Sequence, residues 1–343
     1  MPTAMRMQAR TDRGVLRRIR LTVVGLLVGL VVGVFAIELL RPTVVRHTGV
    51  DAQSESDAST GGLSSHVVIV SIDGLRPDAI DRYGAPTLQR LIRTGRSTLR
   101  ARTVVPSKTL PAHTSMLTGA SVEQHHVTWN EPLSDSVLHV PTIFERAHGR
   151  GLVTAAFFSK PKMEMLAAGS GYDYVQRPIG GLMGLLGTDV YGDVRALLRE
   201  TRPNLLFVHI GEPDYIGHLV GWMTPFYGNA VLKADDALAE IIGVADSAFG
   251  VGEYTLIVTA DHGGHGRDHT GPDSVDAHIP WIVAGKGVRG TGALHTPVRV
   301  YDTGPTALWL LGVGYDPSLA GRPVREAFTG PAGGAATAPS PSR

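Results

Sequence analysis

The chain has 343 residues, 43% of them hydrophobic, with a formal net charge of +1 and no cysteine. That length suits one large domain or two small ones, and the near-neutral charge gives no bulk argument for nucleic acid or another polyanion as partner. Without cysteine there is no disulfide, no thiolate zinc site and no cysteine nucleophile, and the redox compartment stays open.

Residues 1–20 are basic, with Arg13, Arg17, Arg18 and Arg20 just ahead of an apolar run at 21–40 whose one charge is Glu38. Twenty apolar residues as a helix cross a hydrocarbon core of roughly 30 Å, and the basic flank keeps the N-terminus in the cytoplasm. The expectation is an uncleaved, single-pass signal anchor that sends the rest of the chain to the periplasm or exterior; a cleaved signal peptide is the competing reading. Residues 41–65 are polar and aperiodic and read as a flexible linker, 66–330 as the globular domain, and 331–343, rich in Ala, Gly, Pro and Ser, as a disordered tail.

Inside the domain, apolar runs at 66–72, 153–158, 205–210 and 255–260 read as strands. They are continuous rather than alternating, which means strands covered on both faces, as in a parallel sheet flanked by helices. Helical patterns at 87–93 and 231–242 supply the crossovers. In such sheets the ligand crevice lies beyond the carboxyl ends of the strands. The run at 66–72 ends in Asp73, the run at 205–210 leads to Asp214, and the run at 255–260 ends in Asp261 and His262. Three carboxylates at one edge would repel and protonate, so they call for cations. Asp214 and His218, four residues apart, share one face of a helical turn. Glycines 263, 264 and 266 allow the chain to bring His265 or His269 back to the same point, with His278 a weaker rival. Three Asp and three His suffice for two zinc-type sites, and such donors also accept manganese or iron.

Pro111 and Gly119 bracket a helix over 110–118 with Thr109 at its N-cap. Free backbone N–H groups there form an anion site, and a metal-bound hydroxyl in it would be a nucleophile. After the run at 153–158, Lys160 and Lys162 should emerge at the same edge, where a lysine provides a point charge for an anion.

Five motifs, in order, now resemble a family: Ser71-Ile-Asp-Gly74; Lys108-Thr-x-Pro-x-His-x-Ser-x-x-Thr-Gly119; Glu212-Pro-Asp-x-x-Gly-His218; Ala260-Asp-His-Gly-Gly264; and His269-x-Gly271 with Ile279-Pro-Trp-Ile-Val-Ala-Gly285 ten residues on. The chain is similar to the alkaline phosphatase superfamily, in its type I phosphodiesterase / nucleotide pyrophosphatase branch, over about residues 66–326. The resemblance implies a mostly parallel central sheet flanked by helices. It implies that Asp214, His218 and His269 hold one zinc, and that Asp73, Asp261, His262 and the Thr109 oxygen hold the other. Asn130, twenty-one residues after Thr109, would bond a phosphoryl oxygen. Ala112 stands where the family often has Asn, His125-His126-Val127 where it often has His-Gly, and the large substrate-binding insertions of some members are missing.

The expected function is hydrolysis of a small phosphate ester through a phosphothreonine at Thr109. The alternatives are a phospho-group transferase on an envelope lipid or glycan, a sulfatase, or a catalytically silent anchored binding module. Members that cleave monoesters resemble this chain in their Lys-x-Lys or Lys-x-Arg pair, which inclines the expectation towards monoesters, with diesters the close rival.

Overall fold

Five of the six residues of Val67–Ile72 are β-branched, and all six are buried. Branching at Cβ restricts the side chain in a helix and suits a pleated surface, so this run forms a strand covered on both faces. In the computed structural model, which describes residues 44–46, 61–131, 138–176, 190–271 and 274–329, it lies in a nine-stranded sheet. In chain order the strands are β1 (Val44–Arg46), β2 (Val67–Ile72), β3 (Arg96–Arg102), β4 (Thr154–Phe157), β5 (Tyr174–Gln176), β6 (Leu205–Ile210), β7 (Thr255–Thr259), β8 (His278–Gly285) and β9 (Gly292–Ala293). Their spatial order is β1-β5-β4-β6-β2-β7-β8-β3-β9.

The five strands from β5 to β7 run parallel. The pairs β7/β8, β8/β3 and β1/β5 are antiparallel, so the sheet is mixed around a parallel centre. Register fixes the site. Ser71 stands opposite His209 on β6 and opposite Thr259 on β7, so β2, β6 and β7 end level and deliver their next residues to one edge.

Six helices matter for that edge or its support: α1 (Pro77–Tyr83), α2 (Pro86–Thr94), α3 (Thr109–Thr118), α4 (Glu212–Val220), α5 (Pro225–Phe249) and α6 (Thr303–Leu310). Pro225 opens α5, where a missing N–H costs nothing, and the Thr224 hydroxyl accepts the N–H of Tyr227. Gly119 ends α3 in the left-handed region with φ +79°, and its N–H bonds the Ser115 carbonyl. Thr109, expected as the cap of α3, is instead its first helical residue. Extended Lys108 precedes it without a side-chain cap. The N–H of Leu110 is taken by the Asn130 Oδ1 at 3.0 Å, which does the work a cap would do.

The apolar run at 21–40 and the tail at 331–343 lie outside the described residues. Among the described residues no helix is long and apolar enough to cross a membrane. Within the stretch read as linker, Val44–Arg46 pairs antiparallel with β5, and the Ser64 N–H bonds the Leu310 carbonyl at 3.1 Å.

Candidate metal centre at the carboxyl edge of the sheet

Asp73 follows β2, Asp214 sits in the first turn of α4 just after β6, and Asp261 and His262 follow β7. All four are buried. Each carboxylate has one oxygen held by the protein and one left over. The Asp261 Oδ1 accepts the N–H groups of Gly74 (3.1 Å) and His262 (2.9 Å). The Asp73 Oδ2 accepts from His209 Nε2 at 2.9 Å and from Lys160 Nζ at 2.7 Å, and Lys160 also donates to Asp214 Oδ2. The opposite oxygens, Asp73 Oδ1, Asp214 Oδ1 and Asp261 Oδ2, are buried and have no hydrogen-bond partner among the described residues; the same is true of Thr109 Oγ1 and His262 Nε2.

The histidines repeat the pattern. His262 Nδ1 donates to the Gly263 carbonyl (2.8 Å), His269 Nδ1 to the Ser107 carbonyl (2.6 Å) and His218 Nδ1 to the Arg267 carbonyl (3.0 Å). With the hydrogen fixed on Nδ1, each Nε2 carries a lone pair into the cluster. His269 and His218 bring their Nε2 atoms to 3.1 Å of each other, and His218 Nε2 lies 3.4 Å from Asp214 Oδ1. Two lone pairs facing a carboxylate repel unless a cation stands among them.

Two overlapping groups of donors therefore converge, Asp73 with Asp261 and His262, and Asp214 with His262 and His269. His262 Nε2 lies 3.5 Å from Asp73 Oδ1, 3.2 Å from Asp261 Oδ2 and 3.7 Å from Asp214 Oδ1, so it stands between the groups. Its ring stacks on that of His269 at 3.7 Å. Partnerless oxygens and imidazole lone pairs at such distances fit a pair of divalent ions.

Electrostatics agree with the geometry. Burial opposes charge on Asp73, but Lys160 and His209 outweigh it and hold this carboxyl well below its usual range. Asp214 is held low against burial, chiefly by Lys160. Asp261 lacks so close a cation, and burial followed by the Asp73 charge pushes it up to about 7. Burial, then His262, brings His269 down to about 3, and burial also lowers His262, so both rings stay neutral and able to ligate.

Of the residues singled out from the sequence, the structure brings together Asp73, Asp214, His218, Asp261, His262, His269 and Lys160. Thr109 stands buried at the start of α3, and Asn130 touches the backbone of the next residue. His265 turns instead to Asp276, 2.8 Å away, and His278 lies at the start of β8. The lysine pair is arranged differently from the expectation. Lys160 is buried and its ammonium is committed to Asp73 and Asp214, whereas Lys162, in the 3-10 turn Pro161–Met163, makes no ion pair with these carboxylates.

Four residues to which the sequence analysis gave no role support the centre. His209 and Ser159 act on Asp73 from behind. His113 Nδ1 donates to the Thr109 carbonyl at 2.8 Å, and its Nε2 accepts from Ser71 Oγ at 2.8 Å. Trp222 donates to the Gly74 carbonyl at 3.0 Å and lies edge-on to His218. His113 stands in the second motif, and His209 shows as a polar residue inside the otherwise apolar strand β6.

The type I phosphodiesterase / nucleotide pyrophosphatase family profile matches residues 67–279. Bis(5'-adenosyl)-triphosphatase enpp4 of Mus musculus is 25% identical over 229 residues, 60% of this chain and 48% of that protein. Ectonucleotide pyrophosphatase/phosphodiesterase family member 1 of Homo sapiens is 23% identical over 244 residues, 61% of this chain and 24% of that protein. The chain thus spans about half the length, or less, of these curated relatives. Murine ectonucleotide pyrophosphatase / phosphodiesterase 5, solved as an inactive variant in complex with AMP, matches with TM-score 0.61 and 17% identity over 74% of this chain and 96% of that one. Alkaline phosphatase PafA matches at TM-score 0.58 and 14% identity over 78% of this chain and 99% of that one. A 2-O GAG sulfatase matches at 0.65 and 15% over 76% and 73%. These structures share the fold. The profile covers more than half of the chain and spans the strands that carry the cluster, and the chain belongs to the type I phosphodiesterase / nucleotide pyrophosphatase family.

Proposed function

We propose that the chain is a two-metal phosphoric ester hydrolase that works through a phosphothreonine on Thr109. The observation that carries this reading is the set of buried, partnerless atoms: Asp73 Oδ1, Thr109 Oγ1, Asp214 Oδ1, Asp261 Oδ2 and His262 Nε2. Orphaned buried donors and acceptors cost about 1–3 kcal/mol each, so the four that converge at the sheet edge, with Thr109 Oγ1 orphaned at the start of α3, support a binding site. Asp214, His218 and His269 would hold one ion and Asp73, Asp261, His262 and Thr109 the other, with zinc the first candidate and manganese compatible. When bound, the ions supply positive charge for the transferring phosphoryl group and make the threonine hydroxyl acidic.

The chain's own groups do the rest. The Thr109 oxygen, its proton given up to solvent, attacks phosphorus in line, its bond to phosphorus forming as the bond to the leaving oxygen breaks; the electron pair departs with that oxygen, which takes up a proton from solvent. The Asn130 Oδ1 is occupied by the Leu110 N–H, which leaves its amide N–H pair to donate to a phosphoryl oxygen. Water then adds to phosphorus, the bond to Thr109 breaks, and phosphate leaves. Positioning and charge stabilisation are the main sources of rate in such transfers.

The printed activities of the relatives make a nucleotide phosphoester or phosphoanhydride the first substrate to test. Metal analysis of purified protein, with aryl phosphate monoester, diester and sulfate substrates, is expected to give two ions per chain and turnover of a phosphate ester. Turnover of the sulfate alone, or binding without turnover, would contradict it. We further infer that residues 21–40 anchor the domain on the far side of the membrane. A reporter fused after Arg343 should then be active only when exported, and cytoplasmic activity would overturn the anchor.

A further inference from the structure

We propose that His209, oriented by Ser159, is a positioning residue that holds Asp73 to one ion of the pair; this rests on the two-metal reading above. His209 lies inside β6 with no exposed surface, where an imidazole is costly unless both nitrogens are satisfied. Both are. The Ser159 backbone N–H, which can only donate, points at His209 Nδ1 from 3.4 Å, and Ser159 Oγ lies 2.6 Å from the same nitrogen. Nδ1 therefore accepts, the hydrogen sits on Nε2, and Nε2 donates to Asp73 Oδ2 at 2.9 Å.

The tautomer is the opposite of that in His218, His262 and His269. Those three expose a lone pair to the cluster, while His209 offers a hydrogen to a carboxylate, so it supports a ligand and is not one itself. The register of β6 against β2 sets the reach, because His209 stands opposite Ser71, two residues before Asp73. With Oδ2 held by His209 and by Lys160, only Oδ1 faces the converging donors. Ser159 and Lys160 leave the end of β4 side by side and reach Asp73 by two routes, one through the imidazole and one directly.

Partners of this kind govern metal affinity by about 10- to 100-fold. The test is zinc titration of metal-stripped protein against a competing chelating dye, with circular dichroism to confirm folding. The wild type is expected to take two zinc ions. His209→Leu should weaken one of them by about 10- to 100-fold and leave the other unchanged. His209→Gln, whose amide nitrogen can donate from nearly the same place, should recover most of the loss. Ser159→Ala should weaken the same ion less, and it decides the matter if the leucine variant does not fold. Two unchanged affinities, or equal weakening of both, would overturn the positioning role. A wild type that takes fewer than two ions would overturn the two-metal reading and this inference with it.

Discussion

A lysine buried among carboxylates has more than one use, and its distances show which applies. The Lys160 ammonium contacts Asp73 and Asp214 and lies 5.1 Å from the Tyr215 ring centroid, enclosed on all sides. Burial works against its charge, yet Asp214 and Asp73 raise its pKa above the ordinary lysine value. Such an ammonium balances ligand charge and has no free face for a substrate. Removing one partner from a buried ion pair costs about 3–5 kcal/mol because the remaining charge is uncompensated. Lys160→Met should therefore destabilise the metal-free protein by an amount of that order in denaturant melts, and lower kcat/KM for an aryl monoester and the matched diester alike. A loss confined to the monoester, with stability unchanged, would restore the substrate-contact role expected from the sequence. That role was legible only as far as the edge at which Lys160 emerges. Which carboxylate it meets depends on β4, β6 and β2 being neighbours, a fact of topology that no spacing in the chain contains.

Among the elements, the loop from Asp261 to His269 is the one whose conformation decides the site. A Cβ on Gly264 would come within 2.3 Å of the Trp222 indole, whereas one on Gly266, at φ +52°, would meet nothing. Trp222 backs His218 and His269 at ring-centroid distances of 5.1 Å and 5.9 Å and bonds the Gly74 carbonyl. Overpacking costs about 1–3 kcal/mol, and a non-glycine residue in the left-handed region roughly 1–2 kcal/mol. Gly264→Ala and Gly266→Ala should thus lose similar stability, but only Gly264→Ala should also lose about one zinc ion per chain, by metal analysis. Equal zinc content in the two variants would contradict the link between Trp222 and the histidines. The glycines were readable from the sequence as turn formers. That Gly264 is there for an indole was not, because Trp222 lies forty-two residues away in sequence and meets it only in the fold. Four of the five parallel strands were legible, since strands buried on both faces need continuous apolar runs, whereas three-residue β5 was not. The antiparallel pairs β7/β8 and β8/β3 were not, because pairing direction leaves little trace in such runs.

For the molecule as a whole, acid sensitivity follows from histidines buried as neutral rings. His125, whose Nδ1 accepts the Val127 N–H at 3.0 Å and whose Nε2 contacts Ser115 Oγ at 2.9 Å, is brought down to about 4, first by burial and then by His126. Its folded pKa lies below its unfolded value of 6.5, so the unfolded chain binds more protons between the two. Stability from this site is complete above pH 6.5 and is lost as pH falls towards 4. The metal-free wild type should lose thermal stability across that window, and His125→Gln should flatten the fall. An unchanged slope in the variant would contradict it. The central claim is phosphoryl transfer through Thr109, and acid-quenching the metal-loaded enzyme during turnover of an aryl phosphate ester, then mapping covalent phosphate by peptide mass, tests it most directly. The account predicts phosphate on Thr109 in the wild type and none in Thr109→Ala, which keeps its metals and its fold but no turnover; phosphate on Ser107 or Ser115, or a Thr109→Ala variant of near-native activity, would contradict it.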